Sequence, residues 1–481
     1  MTFYKKPYFW LTIILLLSAF LRLYHIDGYM EFLGDQGRDV VIVRNFLVNH
    51  HFMAIGPQTS IGNMYLGPWY YYLIAPALLV ANYNPVGPSI LVALFGVATS
   101  YLLWVFLSQL LNAKVGLVAA FLFAISPVAI KYTSFSWNPN IMPFFALLFV
   151  YAIYQVCFIK KDHYLLLASL SFVFCLNSHY LALLLLPLAG TYLLHYIYQS
   201  RPKRRFYRYV LLSVLIFGLS LIPQILFDIK HNGQNIHAII TFFTIRQTTV
   251  NLKPYKAIPE MIPLFNQVIT RLVASKVDQL GVFVSLILGL SSVFFLKEDK
   301  KNRSSILFLW WWLFWGVFGL SLYKQHIYDH YFGFIFPVVF SLVAYVIYKT
   351  KYLGYLLFAI LVYFSAVNSP LHYPPNNQLA TTEKISQFIV NQSHAQPFNL
   401  ALLAKQNYDP PYRYYIDLQK GQLYTLQDKK TSQLFVICEP SIENCQPLGN
   451  PFWDVAAFGI ARIDQQWAIN NIQIFKLVPN S

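Results

Sequence analysis

Charged residues are scarce in this chain of 481 residues, because Asp, Glu, Lys and Arg together make up only 11% of it. Hydrophobic residues make up 57%, and the mean hydropathy is +0.49. A soluble protein of this length could not bury so much apolar surface, so the composition predicts a polytopic membrane protein. Acidic residues are rarer than basic ones, and the net charge is +16. A nucleic-acid partner is still excluded, because the basic residues mostly lie in short runs between apolar spans.

Two further signals are absent or weak. No glycine-rich phosphate loop follows a predicted strand, so the sequence carries no nucleotide-binding signature. Only four cysteines are present, and Cys157 and Cys175 lie in apolar spans, where they are small apolar residues. Cys438 and Cys445 lie in the polar tail, where a disulfide is permitted, but their spacing alone does not decide whether they pair.

Eleven apolar runs have the length and hydropathy of transmembrane helices. We interpret the first run as a transmembrane span and not as a cleaved signal peptide, because no small-residue cleavage site follows it. The break between residues 177 and 179 is the weakest boundary. The predicted spans are 8–24, 87–111, 115–132, 139–159, 163–177, 179–198, 208–227, 279–296, 304–322, 332–348 and 353–369.

Basic residues in the short connections predict the orientation, because such loops remain on the cytoplasmic side. With eleven spans all of these connections share one side; they contain Lys5 and Lys6, Lys114, Lys160 and Lys161, and the stretches 201–208, 297–303 and 349–351. The opposite side receives three long pieces, residues 25–86, 228–278 and the tail. We therefore expect a multi-pass transmembrane domain over 1–369, with 228–278 as a lid-like outer loop, and a small extracytoplasmic α/β or α+β domain over 370–481.

A charge cluster follows the first span, in the stretch "GDQGRDVVIVRNF" that begins at Gly34. Apolar residues after Arg38 recur at helical spacing, which predicts a helix in the outer interface with Asp35 at or near its N-cap. One interpretation is structural: Asp35 caps the helix and Arg38 binds lipid headgroups. The other is functional: a carboxylate accepts a proton from a hydroxyl while the guanidinium holds a phosphate.

Other polar groups are predicted at the outer ends of the spans. The stretch 67–79 carries four consecutive aromatic residues and predicts an interfacial or half-buried helix, and the outer end at 131–145 carries Lys131 and Asn138. A further outer end, 323–337, carries Lys324, His330 and Tyr331. His326 and His330 are four residues apart and would form a metal pair on a helix, but this spacing with an Asp between them is not a specific metal pattern.

These stretches resemble the GT-C glycosyltransferases, and more narrowly the dolichyl-phosphate-mannose protein mannosyltransferase family with its bacterial members, such as the lipid A aminoarabinose transferases. The resemblance covers roughly residues 8–345. Asp35 matches the family Asp that opens an interfacial helix, with Gln36 in place of Glu, and Arg38 stands where a relative has a phosphate-contacting Arg. Leu66, in "YLGPWYYYL", replaces an expected Lys or His.

Two further stretches carry the resemblance. Relatives have an Asp near Asn138, in "ISPVAIKYTSFSWNPNIMPFF", and this second carboxylate is missing here. The stretch "YDHYFGFIFP" is similar to a basic-Tyr element that precedes a late span. Because Leu66 supplies no charge, we expect Lys131 or Lys324 to replace the lost phosphate contact.

The resemblance implies a membrane glycosyltransferase of the hexosyl- or mannosyltransferase type. Its donor would be a polyprenyl-phosphate-linked sugar reached from the lipid bilayer, and its acceptor a glycan, lipid or protein on the extracytoplasmic side. The reaction would be a single displacement with inversion. We assign no cofactor, because no convincing metal site is found. The implied residues are Asp35 and Asp39 for catalysis, Arg38, Lys131 and Lys324 for the donor phosphate, and Tyr65, Trp69, Asn138, His330 and Tyr331 for the substrate.

Two alternatives belong to other functional classes. A lipid-linked sugar flippase or other transporter needs polar groups near the bilayer midplane, whereas most charge here is predicted at the outer ends. A non-catalytic membrane scaffold would bind a partner through its outer domain, and its function would not depend on Asp35.

Overall fold

The computed structural model describes residues 6–59, 64–244, 249–251, 253–440, 442 and 445–480. Lys5 lies outside the described residues, as do residues 245–248 and 252 of the predicted lid-like loop. In the described part, helices dominate up to residue 374, and the tail combines helices with a sheet.

The α-helices occur along the whole chain. The first ten are α1 (Pro7–Leu23), α2 (Ile26–Tyr29), α3 (Gly34–Asn49), α4 (Trp69–Val80), α5 (Val86–Leu110), α6 (Ala113–Ile125), α7 (Pro127–Tyr132), α8 (Met142–Cys157), α9 (Tyr164–Ser178) and α10 (Leu186–Ser200). The next ten are α11 (Arg204–Lys230), α12 (Gln234–Thr244), α13 (Ile258–Leu272), α14 (Asp278–Glu298), α15 (Arg303–Leu320), α16 (Phe336–Lys349), α17 (Tyr352–Val367), α18 (Gln378–Gln392), α19 (Pro410–Leu418) and α20 (Trp453–Ala456).

Shorter elements and strands complete the description. The 3₁₀ helices are Asn138–Ile141, Tyr180–Leu185, Pro254–Ala257, Asp329–Ile335 and Pro370–His372. The strands are β1 (Asn399–Leu403), β2 (Leu434–Cys438), β3 (Ala461–Ile469) and β4 (Ile472–Pro479).

Contacts divide the chain into two compact units. The first, here called the helical unit, comprises residues 1–24, 52–77 and 87–374. The second, here called the tail unit, comprises residues 25–51, 78–86 and 375–481. The first predicted outer loop therefore divides between the units. The domain boundary between 369 and 370 stays a prediction.

The predicted helical membrane fold is confirmed. By length and composition, eight helices in the described chain are apolar enough to cross a membrane, and four more are apolar but shorter. Each of the eleven predicted spans falls on one of these twelve, and α4 is the additional helix. How many of them cross the membrane stays a prediction.

Two predicted boundaries can be compared with the structure. The run 115–132 forms two helices, because Pro127 cannot continue the hydrogen-bond ladder of α6 and Ser126 before it adopts an extended conformation. The break near residue 178 is present: α9 ends at Ser178, His179 is extended, and its ring Nδ1 accepts a hydrogen bond from the Leu181 N–H at 3.1 Å.

The helical unit is organised around α16. Every residue from Phe336 to Ile347 in this helix is buried. A helix that is apolar on all sides is stable only when other helices surround it, so α16 forms the centre of this unit. α8 is also buried along most of its length.

The tail unit contains the predicted small α/β domain. β1 and β2 pair in parallel, β4 pairs antiparallel with β2 and β3, and the sheet order is β1-β2-β4-β3. β1 and β2 are buried at every residue, because α18 and α19 cover one face while the segment around α20 covers the other. Cys438 and Cys445 form a disulfide.

Helix α3 packs in the tail unit against α19. Its Arg44 forms an ion pair with Asp417 at the end of α19, and the Tyr414 hydroxyl of α19 donates to the main-chain oxygen of Tyr83 at 2.5 Å. The helix that carries the charge cluster is thus part of the same folded unit as the tail.

Candidate active site

The first turn of α3 is not capped by Asp35. The helix begins at Gly34, the Leu33 N–H donates to the Gln36 side chain at 2.9 Å, and the Gly34 N–H donates to Asn407 Oδ1 at 2.8 Å. Gln36 and Asn407 therefore satisfy N–H groups that a helix N-terminus leaves unpaired. The expectation that Asp35 lies near the N-cap holds, but its carboxylate is used elsewhere.

The three charges of the cluster contact one another. The Arg38 guanidinium binds Asp35 Oδ1 through Nη1 at 2.9 Å and Asp39 Oδ1 through Nη2 at 2.7 Å and Nε at 3.0 Å. The Asp39 side chain is only 1% exposed, whereas those of Arg38 and Asp35 are 22% and 34% exposed. Arg38 thus joins a buried carboxylate to an accessible one, and the three groups together carry a net charge of −1.

Tyr408, from the tail, completes this cluster. Its hydroxyl donates a hydrogen bond to Asp35 Oδ1, the same oxygen that Arg38 contacts. Burial, followed by the hydrogen bond to Asp35, raises the pKa of the Tyr408 hydroxyl above its ordinary value. The phenol therefore remains a donor at neutral pH. The sequence analysis missed Tyr408, because its neighbours form no recognisable motif.

The two glycines of "GDQGRD" explain how the tail approaches so closely. A Cβ on Gly34 would lie 2.5 Å from the Tyr408 ring, and a Cβ on Gly37 would lie 2.3 Å from the Pro411 backbone nitrogen. Positions three apart share one face of a helix. This glycine face lets α3 lie directly against Tyr408 and Pro411.

The remaining seven predicted residues lie in the helical unit, where His330 and Tyr331 are in an aromatic group. The His330 ring centroid is 4.5 Å from that of Trp137 and 5.7 Å from the stacked Tyr328 ring. The Tyr331 ring is 5.1 Å from the His179 ring. These rings pack on one another, and a substrate role for His330 and Tyr331 stays a prediction.

Three of the predicted substrate contacts hold chain segments together. The Asn138 side chain is buried and donates to the Ser178 oxygen at 2.7 Å, and the Trp69 indole N–H donates to the Ser220 oxygen at 2.8 Å. The main-chain oxygen of Tyr65 accepts from the Tyr180 hydroxyl at 2.7 Å. These contacts give the three residues a structural role, and a substrate role for them stays a prediction.

Lys131 and Lys324 line different cavities of the helical unit. Lys131 borders a cavity of about 310 Å³ together with Lys276 and Asp329, and Lys324 borders one of about 470 Å³ together with Glu260. The structure therefore does not bring the two lysines to one phosphate site. Each remains a separate candidate.

An ion-pair group beside the Lys131 cavity was missed from the sequence. Arg271 binds both oxygens of the buried Asp329, through Nε at 2.5 Å and Nη2 at 2.8 Å, and Lys276 lies 3.9 Å from the same carboxylate. Burial, followed by the charge of Arg271, lowers the pKa of Lys276. The sequence predicts only a lid-like outer loop over residues 228–278, and Asp329 is 58 residues from Arg271.

The structure shows no assembled metal centre in the described part of the chain. It contains no group of three or more His, Cys, Asp or Glu side chains that could hold an ion. Asp329 begins a 3₁₀ helix and His326 precedes it, so the two histidines do not share an α-helical face. Both rings instead pack against Tyr328.

Comparisons with known proteins agree with this architecture. The sequence model of the family described as dolichyl-phosphate-mannose-protein mannosyltransferase matches residues 66–226. The matched segment begins after the Asp35 cluster. A search of curated proteins found no match.

Two solved structures share the fold over nearly the whole chain. ArnT from Cupriavidus metallidurans, bound to undecaprenyl phosphate, is 10% identical with a TM-score of 0.63, and the match covers 98% of this chain and 97% of that one. The oligosaccharyltransferase AglB from Archaeoglobus fulgidus, in complex with an inhibitory peptide and a dolichol-phosphate, is 12% identical with a TM-score of 0.56, and the match covers 95% and 72%. The chain thus matches this family model over residues 66–226 and shares the fold of these two structures at 10% and 12% identity.

Proposed function

We propose that the chain transfers a monosaccharide from a polyprenyl-phosphate donor to an acceptor hydroxyl on the extracytoplasmic side of the membrane. The observation that carries this proposal is the Asp35–Arg38–Asp39 cluster, in which an accessible carboxylate lies beside a fixed guanidinium. The lipid phosphates bound to the two structural neighbours support the donor class. The name of the matched family supports a hexose such as mannose as the sugar.

The reaction is a single displacement at the anomeric carbon. The acceptor oxygen bonds to this carbon while the bond from the carbon to the phosphate oxygen breaks, and the phosphate leaves on its lipid. Asp35 orients the acceptor hydroxyl and takes its proton. The acceptor attacks opposite the leaving group, so the anomeric configuration inverts. The acceptor is a hydroxyl of a glycan, lipid or protein.

Arg38 stabilises the charge that develops on the departing phosphate. At least three of its five N–H donors contact the two aspartates, which holds the guanidinium plane in one orientation. Charge stabilisation by a group that is already oriented costs no rearrangement during the reaction. Lys131 and Lys324 are further candidates for the phosphate, and His330 and Tyr331 for the sugar.

The test compares purified wild type with Asp35→Asn in lipid, using a panel of polyprenyl-phosphate sugars with and without candidate acceptors. Release of free polyprenyl phosphate is measured. Because general-base catalysis contributes about 10²–10⁴-fold, we expect Asp35→Asn to lose at least that factor. The matched control is Asp428→Asn, since Asp428 is an exposed carboxylate of the tail unit that bonds only locally to Thr425.

The outcomes separate this proposal from its alternatives. Release that depends on Asp35 supports a lipid-linked glycosyltransferase and identifies the donor. Normal turnover by a folded Asp35→Asn variant contradicts the assigned mechanism. A transporter would move the intact lipid-linked sugar without releasing polyprenyl phosphate, and a scaffold would do neither.

The orientation can be tested separately. We propose that the tail unit lies outside the cytoplasm and that the basic connection 297–303 lies inside. His51→Cys and Lys301→Cys place thiols at two exposed positions, one in each segment. Both native free cysteines are buried. A membrane-impermeant thiol reagent should label position 51 and not position 301 in intact cells, and the reverse pattern contradicts the proposed topology.

A further inference from the structure

Asn407 holds the start of α3 and the segment that carries Tyr408 together. Its side-chain oxygen accepts from the Gly34 N–H at 2.8 Å and from the Tyr408 N–H at 2.9 Å. Its side-chain nitrogen donates to Glu439 Oε1 at 2.6 Å. Glu439 follows β2 directly and is next to Cys438, whose disulfide closes the loop after that strand. The position of Tyr408 is therefore tied to the sheet of the tail unit.

The contacts of Asp35 leave one oxygen for another partner. Arg38 and Tyr408 both donate to Oδ1, and the Asp35 carboxylate forms no other hydrogen bond with the residues that the structure describes. A carboxylate with both donors on one oxygen is held in a single rotation about its Cβ–Cγ bond. Its other oxygen, Oδ2, is then available to an acceptor hydroxyl.

We infer that Tyr408 is a positioning residue for the transferase reaction, and that its hydroxyl holds the Asp35 carboxylate so that Oδ2 meets the acceptor. The inference rests on the proposed function, because it assigns Asp35 as the group that takes the proton. The tail then has a direct part in catalysis. It supplies the hydrogen bond that orients the base.

The charges around this pair come from both packed elements. Arg38 and Asp39 face Asp35 from α3, and Glu439 lies behind Asn407 on the sheet side. Tyr408→Phe changes none of these charges, and it keeps the ring that packs against Gly34. The substitution therefore removes one hydrogen bond to a carboxylate and little else.

The test measures kcat and KM of polyprenyl phosphate release for Tyr408→Phe. Hydrogen bonds to charged groups have effects that correspond to a loss of about 10- to 100-fold in kcat, and KM for the donor should not change. Tyr424→Phe is the control, since Tyr424 is a partly exposed tyrosine of the same unit whose ring lies 5.2 Å from Lys429 Nζ.

A second variant reaches the same contact from the other side. Gly34→Ala places a methyl group 2.5 Å from the Tyr408 ring, so the ring must move away from Asp35. It should reproduce the loss of kcat with an unchanged KM for the donor. The double variant with Tyr408→Phe should show little further loss, because the two changes remove one interaction.

Three results would overturn the inference. The first is a wild-type kcat in folded Tyr408→Phe. The second is a raised kcat, which would mean that the hydroxyl competes with the acceptor. The third is losses that add fully in the double variant. Asp35→Asn, measured in parallel, distinguishes a failure of the inference about Tyr408 from a failure of the proposed function of Asp35. If it is inactive while Tyr408→Phe is normal, only the inference fails; if it is fully active, the proposed function of Asp35 fails.

Discussion

Gly37→Ala tests whether the close contact between α3 and the tail matters for activity. The added methyl group would lie 2.3 Å from the Pro411 nitrogen, 2.5 Å from its Cδ and 2.6 Å from its Cγ. All three atoms belong to a proline ring and its backbone, which cannot turn aside as a flexible side chain would. The helix and the tail segment must therefore separate.

The size of the effect follows from this geometry. Ordinary contacts between carbon atoms are about 3.5–4.0 Å, so α3 has to move by about 1 Å. Overpacking of this kind lowers the free energy of unfolding by about 1–3 kcal/mol. Ala in a helix interior raises it by about 1 kcal/mol relative to Gly. The net loss in the free energy of unfolding is then about 0–2 kcal/mol. A displacement of about 1 Å at catalytic groups costs up to about 10²-fold in rate. We therefore expect a large loss of turnover with a small loss of stability.

The assay combines polyprenyl phosphate release with thermal unfolding of the full chain in detergent. Gly289→Ala is the matched control, because Gly289 lies in α14 and the methyl group added there would have no atom of the described residues within 4 Å beyond its own helix turn. That variant should keep its activity, and its free energy of unfolding should rise by up to about 1 kcal/mol, because Ala replaces Gly in a helix without a clash. If Gly37→Ala keeps wild-type turnover, the close packing of α3 is not needed to position Asp35 and Arg38, and the reasoning is refuted.

Three further predictions concern stability. Replacing both Cys438 and Cys445 by Ser should lower the free energy of unfolding by about 2–3 kcal/mol, as expected for a short closed loop, measured against the oxidised wild type. Arg271→Met should lower the melting temperature more than Asp329→Asn. Arg271→Met leaves the Asp329 carboxylate, which is 5% exposed, without its main partner, whereas Asp329→Asn leaves the Arg271 guanidinium, which is 37% exposed and can be solvated. Burial raises the pKa of Asp454 in the folded chain. The stability that Asp454 contributes is therefore present at low pH and is lost as the pH rises through the folded pKa. Asp454→Asn should be more stable than wild type at pH 7, and a pH series of thermal melts should show this difference vanish towards acid.

The helical architecture could be predicted because long apolar runs have few structural alternatives in a membrane protein. The division of the run 115–132 could also have been found, since Pro127 is visible in the sequence. The length of α4 could not be judged, because its aromatic residues suit an interface as well as a span. In the tail, buried apolar runs indicated a sheet, but the strand order depends on pairings between residues far apart in sequence.

Only those residues of the candidate site that lie close together in the sequence could be predicted. Asp35, Arg38 and Asp39 attract notice because charges are rare in this chain, and their contacts span at most three residues along one helix. Tyr408 is 373 residues from Asp35, and no spacing rule connects them. Gly34 and Gly37 are visible in the sequence, but their purpose depends on what packs against them.

Asp35 and Asp39 were both assigned to catalysis, with Asp39 in second place as a support for Arg38 or the helix start, and they differ in exposure and contacts. Asp39 is 1% exposed and contacts Arg38 through two nitrogens, so a substrate hydroxyl cannot reach it without displacing the guanidinium. Asp35 is 34% exposed and contacts Arg38 only through its Nη1 atom. A buried carboxylate costs free energy unless it is paired, which keeps Arg38 beside Asp39 whatever happens at Asp35. These contacts favour Asp39 as the anchor of the guanidinium and Asp35 as the carboxylate of the proposed proton transfer.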